Sequence, residues 1–225
     1  MTSNYNSSIW SGYYATNGAF TRVVAEWIVP TKYASPSPDT ALQWIGLGGV
    51  YTAAGSNLWQ AGTETDNQQG YRMWYEAYPS PLVYAGPAVS PGNQVYVSLD
   101  YGYTYAGKSY VYMYNYANAQ YYSAVKSFTP NTGTADWIAE RATRASDKCA
   151  TYLTKTSQIQ WSYAWAASTA AGGNTLRNIS YYGNVHLDMA EGITYLENAS
   201  ALGTDGSGGS TFYNTFAHNG TFCFK

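Results

Sequence analysis

The segment Ser109-Tyr110-Val111-Tyr112-Met113-Tyr114-Asn115-Tyr116 places a tyrosine at every second position. Side chains on a strand alternate between two faces, whereas a helical face recurs every three to four residues, so this run specifies a β-strand with one tyrosine face. Such a strand needs partners, and runs rich in β-branched and aromatic residues supply them at 20–29, 42–47, 71–78, 94–101, 121–127, 137–142, 159–166, 185–189 and 221–224. Turn chemistry punctuates them at Thr16-Asn17-Gly18, Ser35-Pro36-Ser37-Pro38-Asp39, Ser90-Pro91-Gly92-Asn93 and Ala171-Gly172-Gly173-Asn174. No long amphipathic helix is visible; residues 141–153 have room for one or two helical turns. Many short strands without helices predict an all-β chain of two antiparallel sheets packed face to face, a β-sandwich of the jelly-roll or concanavalin-like kind. At 225 residues the chain forms one domain, 1–225, and the glycine- and serine-rich stretch 198–210 reads as a surface loop.

Charge narrows the function. Asp, Glu, Lys and Arg make up 11% of residues, against roughly 25% in an average soluble domain, while 17% are aromatic. Eleven basic and thirteen acidic side chains leave a net charge of -2, with no basic stripe for phosphates and no polybasic segment for lipid headgroups. Neither nucleic acid nor a membrane is an expected partner. Few carboxylates also means few ionised groups to lose on acidification, a composition that suits work in acid; neutral surfaces of this kind occur equally in extracellular β proteins that never meet acid.

Met1 to Ser8 has no basic start and no apolar run, so the chain shown reads either as a cytosolic protein or as a mature form without its leader, and the secreted, extracellular form is the expectation adopted. Cys149 and Cys223 fit no metal spacing, nor do His186 and His218; a disulfide is expected if the protein is exported. Gly-x-Ser-x-Gly, phosphate loops, Cys-x-x-Cys and His-Glu-x-x-His are all missing, so no metal or cofactor is expected and carboxylates and amides remain as the reactive groups.

Polar residues are embedded in otherwise apolar strands at Leu42-Gln43-Trp44-Ile45-Gly46-Leu47-Gly48-Gly49, Leu58-Trp59-Gln60-Ala61-Gly62-Thr63-Glu64, Trp74-Tyr75-Glu76-Ala77-Tyr78-Pro79 and Ala135-Asp136-Trp137-Ile138-Ala139-Glu140-Arg141. With Ile9-Trp10-Ser11-Gly12-Tyr13 and Trp27-Ile28-Val29-Pro30, this ordered set resembles the glutamic peptidases, or eqolisins, over residues 9 to 142. The resemblance implies an acid-acting endopeptidase on a β-sandwich, monomeric, taking polypeptide substrates and insensitive to pepstatin. By motif the catalytic Gln is Gln60 and the catalytic Glu is Glu140; Trp10, Trp44, Glu76 and Tyr78 match positions that line or support the cleft. The family's Ile-Asp-Gly reads Leu47-Gly48-Gly49 here, so a cleft carboxylate is missing and like-charge repulsion near neutral pH should ease.

The implied pair is chemically sufficient. Peptide hydrolysis without metal or nucleophilic side chain needs a base for water, donors for the oxyanion and an acid for the leaving amine. One carboxyl can be base and then acid, and an amide can serve the oxyanion. For Glu140 to be a base in acid, hydrogen bonds to its charged form must outweigh its desolvation. Ordinary structural roles compete at each position: a solvated Glu140–Arg141 ion pair, a strand-satisfying Gln60, a structural Glu76, and core packing for Trp10, Trp44 and Tyr78. Two other functions are also compatible, a jelly-roll glycoside hydrolase using Glu76 and Glu140 as its carboxyl pair, and a lectin-like module that only holds sugar. Gln60 discriminates, because a glycosidase has no need of it.

Overall fold

The computed structural model describes residues 3–50, 57–66, 68–144, 149–171 and 173–221. Their strands, in chain order, are β1 (Ser3–Ser7), β2 (Trp10–Thr16), β3 (Phe20–Ile28), β4 (Asp39–Leu47), β5 (Leu58–Asp66), β6 (Gly70–Tyr78), β7 (Val83–Tyr84), β8 (Gln94–Tyr101) and β9 (Ser109–Asn115). The second half adds β10 (Gln120–Lys126), β11 (Ala135–Glu140), β12 (Tyr152–Leu153), β13 (Ile159–Ser168), β14 (Gly173–Asn178), β15 (Gly183–Glu191), β16 (Thr194–Ala199), β17 (Gly203–Thr204) and β18 (Ser210–Phe216). One sheet runs β1-β15-β2-β11-β4-β5-β6-β7, and the other β10-β9-β8-β3-β13-β18. They pack as the expected sandwich. Two details differ from two separate antiparallel sheets: β16 pairs with β15 and with β18 and so joins them at one side, and β1–β15 and β12–β4 are parallel.

The tyrosine strand forms as its alternation predicts, with Val111 and Met113 buried between the sheets and Tyr110, Tyr112 and Tyr114 half-buried on the outside. The 141–153 stretch is not helical in its described residues. Thr143 bridges Ala150, Tyr152 and Leu153 run beside the start of β4, and Arg141 is buried against Glu191 and the Thr221 carbonyl. Those tertiary partners decide the local conformation. Residues 198–210 hold the end of β16, the short β17 and a turn instead of a continuous loop. The strand expected over 221–224 and Cys223 lie outside the described residues except for Thr221; Cys149 is disulfide-bonded.

Tryptophan builds the interior. Trp27, Trp59, Trp137 and Trp161 are fully buried between the sheets, each removing roughly 150–250 Å² from water. A buried indole N–H must find an acceptor. Trp27 donates to Thr63 Oγ1 at 3.0 Å, Trp59 to the Tyr110 carbonyl at 3.2 Å, Trp137 to the Val24 carbonyl at 3.0 Å and Trp161 to Asn214 Oδ1 at 2.7 Å. Three of these bonds, those of Trp27, Trp59 and Trp137, tie strands of one sheet to strands of the other, so the aromatic core fixes how the sheets lie together.

Two carboxyls, Glu197 and Asp136, are buried in this framework with no ion pair among the described residues. Burial pushes Glu197 on β16 up to about 8 from an ordinary value of 4.5, and holds Asp136 on β11 well above the carboxylate range. Both bind a proton more tightly folded than unfolded. Their stabilising contribution is therefore whole in acid, below the unfolded value, and is lost as pH rises through the folded one. We expect Glu197→Gln to leave the melting temperature nearly unchanged at pH 4 and to raise it at pH 8, flattening the decline. Calorimetry at the two pH values checks this, and an equal shift at both would contradict it.

Candidate active site

Strand parity sorts the site. Ile45, Trp59, Ala61, Tyr75, Trp137 and Ala139 point into the core, so the residues between them project from the opposite, outer face of the first sheet. Trp10 of β2, Glu140 of β11, Trp44 of β4, Gln60 of β5 and Glu76 and Tyr78 of β6 all lie on that face. Gln60 stands directly across from Gly46 on one side and Glu76 on the other, and Glu140 stands across from Leu42 and Trp10. β4 thus separates Gln60 from Glu140, and Trp44 on β4 reaches the carboxyl: its Nε1 donates to Glu140 Oε2 at 2.7 Å. Trp10 packs edge-on against Trp44 with ring centroids 5.3 Å apart.

Above this face opens a cavity of roughly 700 Å³ lined by Trp10, Gln60, Trp74, Glu76, Tyr78 and Glu140. That volume lies within the range of ligand-binding pockets. Five of the six sequence-derived site residues line it. The sixth, Trp44, is fully buried and acts from below as the brace of Glu140. Trp74 is a lining residue that the motif comparison left out. Its place two residues before Glu76 on the same strand gives it the same face, so the period-2 rule identifies it.

Gln60 Nε2 donates to Glu76 Oε2 at 2.5 Å, and Gln60 Oε1 has no protein partner among the described residues. A buried carbonyl oxygen left without a donor costs about 1–3 kcal/mol, so this atom is suited to accept from a water or a substrate N–H. Glu76 is engaged by Gln60, and burial raises it despite that bond. The glycosidase arrangement needs Glu76 free to act on a sugar; here it is the anchor of an amide.

Burial against the cleft wall pushes Glu140 up to about 7, with nearby Glu76 adding to the rise while the Trp44 and Trp10 indoles pull the other way. Trp10 makes no full hydrogen bond, so Trp44 is the effective donor. Desolvation therefore outweighs the hydrogen bonds to the charged form and raises the carboxyl above its ordinary value. The Glu140–Arg141 ion pair is absent as well. Adjacent strand residues face opposite ways, and the Arg141 guanidinium pairs with Glu191.

Among the described residues no three His, Cys, Asp or Glu side chains converge as a metal site. His186 lies 3.2 Å from Asp188 and stacks on Tyr13, off the cleft face. Gly48 has φ of +93°, and a Cβ there would meet the Asn57 and Asn131 carbonyl oxygens at 2.7 and 2.6 Å. The absence of a side chain at 48 is thus imposed by close backbone packing, and the expected effect of Gly48→Asp changes from charge repulsion near neutral pH to steric strain at every pH.

The family model for the Peptidase A4 family matches residues 8–207. No curated protein sequence matches the chain. Among solved structures, scytalido-glutamic peptidase with a transition state analog inhibitor aligns at a TM-score of 0.75 and 17% identity, covering 93% of this chain and 98% of that one. SCP-B, a member of the Eqolisin family of peptidases in complex with the tripeptide Ala-Ile-His, aligns at 0.72 and 15% identity with the same coverage. Aspergilloglutamic peptidase from Aspergillus niger aligns at 0.60 and 20% identity over 79% of this chain and 99% of that one. The β-sandwich is therefore the fold these proteins share with this chain.

Two outcomes follow from the geometry. Trp44→Phe removes the donor to the charged form of Glu140, so the Glu140 titration should move above about 7, as read by NMR of the labelled carboxyl; no movement would remove Trp44 from its bracing role. Gly48→Ala and Gly48→Asp should both destabilise, and by similar amounts at pH 4 and pH 7. A loss confined to Gly48→Asp at neutral pH would restore the charge explanation.

Proposed function

The chain belongs to the Peptidase A4 family, and from that membership we propose that it hydrolyses internal peptide bonds of polypeptides through Glu140 and Gln60. The observation that carries this is the convergence of the two side chains on one cavity, Glu140 held by Trp44 and Gln60 by Glu76. An extended substrate laid along the outer face would meet Trp10, Trp74 and Tyr78 as walls, and contacts remote from the scissile bond serve to position it.

In acid Glu140 starts the cycle protonated. Its proton moves to the scissile carbonyl oxygen as water adds to the carbon, and the proton released by that water returns to the carboxylate, giving a neutral gem-diol. Glu140 then protonates the amide nitrogen, the C–N bond breaks, and one diol hydroxyl returns its proton as the carboxylic acid product forms. Every proton leaves and re-enters one carboxyl. Gln60 contributes in both states: Oε1 accepts from the attacking water, and the second N–H of Nε2 donates to the oxygen on which charge develops. Neither group needs a metal. The low charge and the disulfide at Cys149 suit an exported protein.

Glu140→Gln, which can neither give nor take a proton, should abolish cleavage of a denatured protein substrate. Gln60→Ala should lower kcat/KM by about 100- to 1,000-fold, the usual cost of one oxyanion donor. Wild-type kcat/KM should fall as pH rises through about 7, where Glu140 ionises, and should be unaffected by chelators or pepstatin. Activity that instead rises through pH 7 would assign the ionised carboxylate as the starting base. Substantial turnover by a folded Glu140→Gln variant would remove Glu140 from the chemistry.

A further inference from the structure

The second sheet carries on its outer face a set of side chains that peptide hydrolysis does not use. Tyr96 on β8 and Tyr112 and Tyr114 on β9 project outward, with Tyr116 just past the end of β9, Glu26 across from Tyr96 on β3, and Tyr163 on β13. Together they wall an open-mouthed pocket of roughly 450 Å³. Because the catalytic cleft lies on the outer face of the other sheet, the two sites are on opposite sides of the sandwich.

Ring orientation separates a cage from a platform. Tyr114 and Tyr116 meet at 89° with centroids 4.9 Å apart, Tyr96 and Tyr112 at 61°, and Tyr96 and Tyr163 at 57°. Flat stacking of a sugar chain calls for rings that share a plane, whereas these rings are steeply inclined to one another around the pocket. Tyr163 is held in place against its own backbone preference. Its φ of +51° is rare for a side-chain-bearing residue, it sits in the irregular part of β13, and Asp205 Oδ2 accepts its N–H at 2.7 Å. Backbone strain of this kind costs about 1–3 kcal/mol and collects at functional sites.

Charge then selects the ligand. Glu26 accepts from the Tyr116 hydroxyl and from Gln94 Nε2, each at 2.6 Å, and forms no ion pair among the described residues. Arg22, on the same strand, donates to Ser98 Oγ at 3.4 Å, lies over the Tyr103 ring at 5.3 Å and flanks the pocket wall at Tyr96, where it opposes the upward effect of burial on that hydroxyl. A carboxylate oriented by neutral donors inside a ring of tyrosine faces complements a positive charge that is too weakly hydrated to resist desolvation.

We propose that this pocket is a binding site for an organic cation of the alkylated ammonium class, whose charge faces Glu26 and whose methyl groups pack on Tyr96, Tyr112, Tyr114 and Tyr163. Cation–π attraction supplies affinity where the rings converge, and the open mouth leaves room for the chain that carries the ammonium.

Choline and its uncharged isostere 3,3-dimethylbutan-1-ol, titrated against the full chain and followed by NMR shifts of the tyrosine rings, test this directly. Saturable choline binding is expected, with the alcohol at least about fivefold weaker, since the two differ in charge and not in shape. Glu26→Gln and Tyr112→Ala should each weaken choline binding by about fivefold or more while leaving cleavage of a soluble peptide unchanged. Tyr112→Phe, which keeps the ring, should retain binding and guards against a folding failure of the alanine variant. Equal binding of the alcohol, binding untouched by Glu26→Gln, or no saturation at millimolar choline would each overturn the proposal. So would preferential binding of a neutral oligosaccharide, which would make the face a stacking platform. None of these outcomes touches the peptidase assignment, which rests on the opposite sheet.

Discussion

The pleat of β4, β5, β6 and β11 is the constraint on which both core and cleft depend. Each strand gives one set of alternate residues to the sandwich interior and the other to the outer face, and on β4 and β5 both sets are almost entirely buried. Trp59 and Gln60 are sequence neighbours with opposite destinations, as are Trp137 and Ile138, or Ala139 and Glu140. A one-residue slip of β11, for example, would send Trp137 to the cleft face and Glu140 into the core. The indole hydrogen bonds that cross between the sheets oppose such a slip, so the forces that hold the sandwich together also hold the register of the site.

Scarcity of cations sets the electrostatic character. A carboxyl taken out of water next to a guanidinium stays ionised, as Glu191 does beside Arg141, where hydrogen bonds from Thr221 and Arg141 outweigh its burial and lower its pKa. Among the described residues Glu76, Asp136, Glu140 and Glu197 have no such partner, and burial raises all four. The balance has two effects of one origin. Folding favours the protonated carboxyls, which makes acid the permissive side of the stability profile, and the same desolvation raises Glu140 at the cavity.

The outer faces of the two sheets show what alternation can build when one side of a strand is committed to the core. On one sheet the free side carries an amide, carboxyls and indoles around a cavity; on the other it carries tyrosines inclined toward a single carboxylate. Both surfaces spend little charge and much aromatic area, in keeping with the composition of the whole chain.

The period-2 pattern by itself determined the all-β class, the outward tyrosines of β9 and the bounds of β8, because strand geometry is a local property of the chain. Six ordered motifs picked out Gln60, Glu140, Trp10, Trp44, Glu76 and Tyr78 as one site, and parity alone would have added Trp74. Other features had no local signal. The described residues of 141–153 are not helical because Arg141 finds Glu191 and Thr221 only once distant segments have come together. β16 joins the sheets through partners on β15 and β18, and nothing in its six residues announces them. The empty side-chain position at Gly48 reflects the Asn57 and Asn131 carbonyls pressed against it. The upward shift of Glu140 was likewise a tertiary decision, since its sequence neighbours could not reveal how much water the folded wall would exclude or that the indole N–H of Trp44 would not outweigh it. Sequence fixes which groups are present and which face each occupies; desolvation and long-range partners exist only in the folded molecule, and they decide what those groups can do.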